Sequence, residues 1–360
     1  MIESKRPSER LYNLHCLRVI AALAVVYFHT TSSAGLALSW DVGSRGVDVF
    51  FVISGFIIAY IGTTSPDRFF LRRLIRIVPF YWAATLFVFA MVSVAPQLFR
   101  STSASVPHLI ASLLFIPHLS VTGEMQPTLI LGWSLNFEMF FYVLFALALW
   151  ISPRRSPLLC AAWLLALVLA IHASGTDNAI LGFYGRPIVL EFCYGIGVYY
   201  LFNWCSARRE QLARHGALKW SLIVLLVASL AALVVLEKDY RDIVPRYLVG
   251  GIPSFFIVAS ALLLERLYGL AAKSRLIYLL GESSYIIYLV HPYIVFAALR
   301  VAFRGAHDFP LPMLVLLIIG LLALTSAIAV AIHLLFEKPV MAYLRARLAS
   351  RAAPGLPTPS

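Results

Sequence analysis

Arg18 and His29 lie within "CLRVIAALAVVYFHT" (16–30), and the ten residues between them hold nothing more polar than Tyr27. On a helix the eleven-residue step from one to the other is about 1100° of rotation, roughly 20° past three full turns. The two side chains therefore share one face, separated by about 16 Å along the axis. Ionisable groups held in an apolar stretch are costly and usually face a bundle interior or a water-filled cavity. The plainer alternative has Arg18 snorkelling to lipid phosphates and His29 capping the outer helix end.

A second basic group is "FFLRRLIRIVPFYW" (69–82), which gathers Arg72, Arg73 and Arg76. Side chains three and four residues apart on a helix converge. Guanidinium groups bind phosphate through paired hydrogen bonds, so the cluster suits a phosphorylated ligand, although a topology-setting basic loop has the same composition. Two carboxylates complete the set: Glu138 in "LGWSLNFEMFFYVLF" (131–145) and Asp48 in "GVDVFFVISGF" (46–56). A histidine with a carboxylate partner is equipped for general base catalysis, because the carboxylate orients the ring and stabilises its charged form. Such a base removes the proton from an alcohol as it attacks an acyl carbonyl. The alternatives are a structural hydrogen bond from Glu138 to Asn136, Ser134 or a neighbouring helix, and a structural role for Asp48. His291, in "YLVHPYIV", precedes Pro292 and can satisfy a carbonyl that the proline frees. Glu191 and Glu337 each fall at a membrane edge, where anchoring accounts for them.

The elements that must hold these residues follow from composition. The chain is 61% hydrophobic and 13% charged, with a mean hydropathy of +0.86. Soluble domains carry about 45–50% apolar and about 25% charged residues, so an all-α, polytopic integral membrane helical bundle is expected. The formal charge of +12 sits in short clusters between apolar runs, the pattern of the positive-inside rule rather than of a nucleic-acid partner. Crossing takes about 20 apolar residues. Candidates lie near 12–31, 44–62, 77–96, 131–151, 157–174, 187–204, 217–237, 247–268, 279–299 and 312–336. A shorter piece, 107–121, starts at a proline and is interrupted by Pro117.

Loop charge favours ten full crossings, with 107–121 re-entrant or tilted and both termini in the cytoplasm, since that keeps "DRFFLRRLIR", "SPRRS" and "SARREQLARHGALK" inside. Arg72, Arg73 and Arg76 then stand at the cytoplasmic entrance of the third segment, with Arg18 at similar depth. Glu138 lies a turn or two below the outer surface, near the depth of His29. The four cysteines, Cys16, Cys160, Cys193 and Cys205, have no metal or CxxC spacing and read as small hydrophobes; no metal is expected. The start of the chain also has the outline of a cleaved secretion signal. There is no internal repeat of the kind many transporters carry. One domain is expected over 1–345, then a flexible tail over 346–360.

"LRVIAALAVVYFH", "GVDVFFVISGFII", "FLRRLIRIVPFYW", "WSLNFEMFFYVLF", "SSYIIYLVHP" and "FEKP" occur in that order, and together they resemble the acyltransferase 3 family of integral membrane proteins. The likeness runs from about residue 11 to 345 and is strongest to the bacterial exopolysaccharide acetyltransferase branch. It implies a bacterial inner-membrane enzyme that moves an acyl group, often acetyl from acetyl-CoA, onto a hydroxyl of a polysaccharide or lipid-linked glycan. The implied partners are that acceptor, membrane lipids and the glycan assembly machinery. The family's arginine–ten residues–histidine motif falls on Arg18 and His29, and its arginine pair falls on Arg73 and Arg76, with Arg72 beside them. Its tryptophan–serine block, familiar as "WSLSVEEQF", is altered here to "WSLNFEMFF", which leaves Glu138 alone to carry the block's carboxylate role. The resemblance argues against the cleaved signal, which would discard Arg18 and His29. Read from the residues alone, a transporter, a structural partner in a glycan complex, and an acyltransferase with a small-molecule acceptor all remain open.

Overall fold

Inside a bilayer no water is available to backbone N–H and C=O groups, so a spanning segment must satisfy them within itself. Twenty-residue apolar runs separated by short basic loops accordingly become helices. The structure, a computed structural model, describes residues 10–33, 41–99, 102–240, 243–302 and 310–350. In chain order the helices are α1 (Tyr12–Ser33), α2 (Gly46–Thr64, entered through a 3-10 turn Asp41–Arg45), α3 (Phe69–Val94), α4 (Val106–Leu113) and α5 (Gly132–Ile151). Next come α6 (Ser156–Ser174), α7 (Ala179–Tyr184), α8 (Glu191–Ala207), α9 (Arg209–Ala213) and α10 (Gly216–Tyr240). The last are α11 (Arg246–Val249), α12 (Gly251–Tyr268), α13 (Arg275–Ala302), α14 (Leu311–Ile332) and α15 (Lys338–Ser350), the final two joined by a π-helical turn, His333–Glu337.

Among the described residues, ten stretches are long and apolar enough to cross a membrane, one for each expected segment. The protein is a polytopic helical membrane protein. The 107–121 piece does not add an eleventh, because α4 stops after eight residues. At about 1.5 Å per residue that is on the order of 12 Å, well short of a hydrocarbon core of about 30 Å. Two boundaries differ from expectation. The helix of the third span begins at Phe69, ahead of the apolar run expected from 77, and it carries the three arginines whose spacing was read as helical. Of the tail expected over 346–360, residues 346–350 are helical, and the rest lie outside the described residues.

The chain forms two compact units. The first comprises Met1–Tyr60, Arg186–Tyr285 and Pro292–Leu322; the second comprises Ile61–Gly185, Ile286–His291 and Ala323–Ser360. In the first unit, helices approach through small residues. At Gly46 an added Cβ would lie 2.3 Å from the Ala21 carbonyl oxygen, and at Gly195 it would lie 2.1 Å from that of Val52. Lipid offers little drive for helices to associate, so contact of this closeness supplies the packing energy instead. Gly195→Ala is expected to lower stability by about 1–3 kcal/mol, the usual range for overpacking, read as a lower unfolding temperature of the purified protein in detergent.

The second unit is organised around α3, α5 and the loop between them. Tyr81, fully buried near the middle of α3, stacks on Phe115 with ring centroids 4.6 Å apart. Its hydroxyl donates to the Ser112 carbonyl at 3.1 Å, and the Trp82 indole N–H donates to the Leu113 carbonyl at 2.8 Å. These bonds satisfy the C-terminal carbonyls of α4 halfway along α3. Gly132 sits against the same ring, where an added Cβ would meet the Tyr81 hydroxyl at 2.7 Å. So the end of α4 and the start of α5 both lie level with Tyr81, halfway along α3. Further along, α14 and α15 bury Thr325, Ala329, His333, Glu337 and Met341 at four-residue spacing, while Leu324, Leu334, Leu335 and Phe336 are exposed. Thr325, His333 and Glu337 thus lie on its protein-facing stripe, and Leu324, Leu334, Leu335 and Phe336 face outward.

Candidate active site

The first unit supplies α1. Its free N-terminal N–H groups are satisfied from a distant part of the chain: the Glu265 carboxylate of α12 accepts from Tyr12 N and Asn13 N, each at 2.7 Å. The Asn13 amide donates to the Ala261 and Leu270 carbonyls at 2.8 Å and accepts from Ala272 N at 3.0 Å. A continuous helix running on from this clamp carries Arg18 and His29, both half-buried, so their shared face is a property of the fold. The Phe28 ring meets the His29 ring edge-on with centroids 5.0 Å apart.

The same unit holds a buried charge network that sequence reasoning largely missed. Asp48 is fully buried; it accepts from Arg246 at 2.7 and 3.1 Å and lies 3.8 Å from Arg45. Arg45 in turn is paired with Glu237, and both are buried. Glu191 adjoins Asp48 within this network and is itself fully buried. The edge-anchoring role expected for Glu191 is therefore overturned, because a carboxyl so enclosed meets neither lipid headgroups nor water. Glu337 is overturned likewise: it is fully buried, and its carboxylate bonds His333 Nδ1 at 2.6 Å. His291 behaves as expected. Its Nδ1 lies 2.9 Å from the Tyr288 carbonyl, the group that would have accepted from residue 292 had that residue not been proline.

The second unit supplies the arginines and Glu138. Arg72 donates to the Ser65 carbonyl. Arg73 lies within electrostatic reach of Tyr142, Arg76, Glu138 and Arg72, and its Nε is buried with no hydrogen-bond partner among the described residues. Tyr142, one turn after Glu138 on α5, donates its hydroxyl to the Glu138 carboxylate. Here the structure departs from expectation. Gly132 is level with Tyr81; Glu138 is six residues beyond the one, while Arg76 and Arg73 are five and eight residues before the other. At about 1.5 Å per residue these are displacements of roughly 9, 7.5 and 12 Å in the same direction. Glu138 is thus at the depth of the arginines, toward the N-terminal end of α3, and not near the opposite surface. The hydropathy pattern could not reveal this, because it does not record that α5 begins level with the middle of α3.

The arrangement brings a carboxylate, a phenol and three guanidinium groups together in one unit and places an imidazole with a fourth guanidinium on one helix of the other. An orphaned buried guanidinium N–H among further arginines is a fit for phosphate oxygens. The profile described as an acyltransferase domain matches residues 11–333 of this chain. The chain belongs to the acyltransferase 3 family. Among its relatives is the exopolysaccharide production protein ExoZ of Rhizobium meliloti, 34% identical over 91% of this chain and 99% of that protein. The acyltransferase MdmB of Streptomyces mycarofaciens is 27% identical over 96% of this chain and 95% of its own length. The O-acetyltransferase OatA of Staphylococcus aureus is 25% identical over 79% of this chain, which spans 51% of that longer protein. No solved structure matches the chain.

Proposed function

We propose that this acyltransferase is a bacterial inner-membrane O-acetyltransferase that moves acetyl from cytoplasmic acetyl-CoA to a hydroxyl of an exopolysaccharide or its lipid-linked precursor. The observation that carries the reading is Arg73: a cation in the first turns of α3, flanked by two more, with a buried N–H that has no protein acceptor among the described residues. The near full-length likeness to a protein named for exopolysaccharide production, and the likeness to one named an O-acetyltransferase, support the acceptor and the group transferred. Arg72, Arg73 and Arg76 hold the donor's phosphates. Glu138 holds Tyr142 and offsets the charge of the arginines. We assign it to positioning that cluster, because its carboxylate accepts from Tyr142 beside Arg73.

The bound thioester supplies an activated acetyl carbonyl. His29 takes the proton of the acceptor hydroxyl as the new C–O bond forms and the C–S bond breaks, and it then returns that proton to the departing thiolate. Both termini lie in the cytoplasm in this reading, as the basic loops require. The test is purified protein in lipid nanodiscs, with no ion gradient, given radiolabelled acetyl-CoA and de-O-acetylated exopolysaccharide. Base-labile label in the glycan is expected; its absence sinks the reading and favours a transporter. In the same assay Arg73→Ala should weaken acetyl-CoA affinity roughly ten- to hundredfold, the loss of about 1.5–3 kcal/mol for a charged hydrogen bond, without changing the glycan KM. Unchanged acetyl-CoA affinity would return Arg73 to a topological role.

A further inference from the structure

Besides Arg73, the second unit buries a polar side chain whose hydrogen-bonding groups stand idle. Asn136 of α5 is 1% exposed, and neither its amide nitrogen nor its amide oxygen has a hydrogen-bond partner among the described residues. A carboxamide brings two N–H donors and an oxygen with two lone pairs. Buried polar groups are nearly always paired, so an amide idle at both ends calls for a ligand that donates as well as accepts.

Its place on α5 narrows the choice of ligand. Asn136 follows Gly132 by four residues, about 40° past a full turn, so it shares the face that Gly132 turns to Tyr81 of α3. It lies about 6 Å from the level of Tyr81, toward the N-terminal end of α3. Arg73 lies about 12 Å from that level in the same direction. The direction agrees with the electrostatics, since Glu138 and Tyr142, further along α5, are both within reach of Arg73. Asn136 thus stands about 6 Å deeper in the unit than the backbone of Arg73. An arginine side chain on a helix leans toward the N-terminus, so the guanidinium lies further out and the span to Asn136 is longer. Arg73 and Glu138 are half-buried while Asn136 is enclosed, so access falls in the order guanidinium, carboxylate, amide.

From this geometry we infer that Asn136 binds the pantetheine arm of the acyl donor through the two secondary amides that the arm carries. The inference rests on the acetyltransferase reading for its ligand. A trans amide points its N–H and its carbonyl in opposite directions, so one carboxamide does not meet both groups of the same amide. The N–H of the first amide and the carbonyl of the second, however, flank a pair of methylenes and can turn to one side. The Asn136 oxygen accepts from that N–H, and its nitrogen donates to that carbonyl. These groups lie six and nine bonds from the nearer phosphorus, about 7 and 11 Å when three bonds span roughly 3.6 Å extended. A phosphate held at Arg73 therefore brings them to the depth of Asn136. A thioester carbonyl or a hydrocarbon segment offers no donor and leaves the Asn136 oxygen idle. Held at this point, the arm carries its thioester to a fixed distance beyond α5, which makes Asn136 a donor-binding residue that also positions the acetyl group.

The experiment uses the full chain in nanodiscs, with binding measured by calorimetry. Asn136→Leu keeps the volume and removes the amide. It should raise the acetyl-CoA Kd about ten- to thirtyfold, as expected for two neutral hydrogen bonds. The Kd of adenosine 3′-phosphate 5′-diphosphate, which keeps the phosphates and lacks the arm, should stay within twofold of wild type. The unliganded variant should unfold at or above the wild-type temperature, because no hydrogen bond within the protein is lost. An acetyl-CoA analogue with an ester oxygen in place of the first amide N–H should bind wild type about fivefold more weakly than acetyl-CoA. Acetyl-CoA binding within twofold of wild type in folded Asn136→Leu means that water alone satisfies the amide; it overturns the inference and leaves the acetyltransferase reading intact. Equal weakening of both ligands, or a lower unfolding temperature, makes Asn136 structural and overturns it too. An ester analogue that binds wild type as tightly as acetyl-CoA does the same without any variant. Wild-type protein that does not bind acetyl-CoA sinks the acetyltransferase reading and this inference with it.

Discussion

His29→Ala should leave a folded protein that binds acetyl-CoA normally and transfers acetyl about 10²–10⁴ times more slowly, the usual loss for a missing general base. In barrier height that is about 2.7–5.4 kcal/mol. Folding should survive, because the clamp that fixes α1 acts at Tyr12 and Asn13, at the other end of the helix from His29. Donor affinity should survive as well, since Arg72, Arg73 and Arg76 stand on α3. The measurement is ester formed on exopolysaccharide per mole of purified variant, with acetyl-CoA binding read in parallel. Transfer at the wild-type rate would remove His29 from the chemistry. Loss of both transfer and donor binding would make it a structural residue.

The other large effect is on stability. Arg45 and Glu237 are both buried, so Glu237→Ala strands a guanidinium away from water, 3.8 Å from Asp48. Removing one partner of a buried pair costs about 3–5 kcal/mol, a large share of a total folding stability of about 5–15 kcal/mol. Arg45→Met combined with Glu237→Leu removes both charges and should recover much of that loss. Thermal unfolding in detergent, with the two variants beside wild type, tests both statements. Equal unfolding temperatures for Glu237→Ala and wild type would mean that water reaches the pair.

The contrast between α1 and the charge network shows what a sequence can disclose about such a protein. The ten spans were legible because bilayer thickness imposes a run length that composition alone reveals. The common face of Arg18 and His29 was legible because eleven residues close on whole turns and nothing interrupts the helix. The start of α3 was misplaced by eight residues, since arginines break an apolar run without breaking a helix, for which they are good formers. Glu138 was given the wrong depth for a reason outside its own segment: the end of α4 and the start of α5 both lie level with Tyr81. The network was illegible for a different reason. Arg45 finds Glu237 across 192 positions, and Asp48 finds Arg246 across 198, and no local pattern encodes either pairing.

The Glu265 clamp bears on how the protein is made. The carboxylate that secures the first helix is encoded 252 residues after Asn13. At a synthesis rate of about 5–20 residues per second, α1 spends roughly 13–50 s in the ribosome's wake before its anchor is translated. During biogenesis the helix that bears Arg18 and His29 is therefore made well before it is locked, and deletions that truncate the chain before α12 should leave it open to insertion-stage quality control.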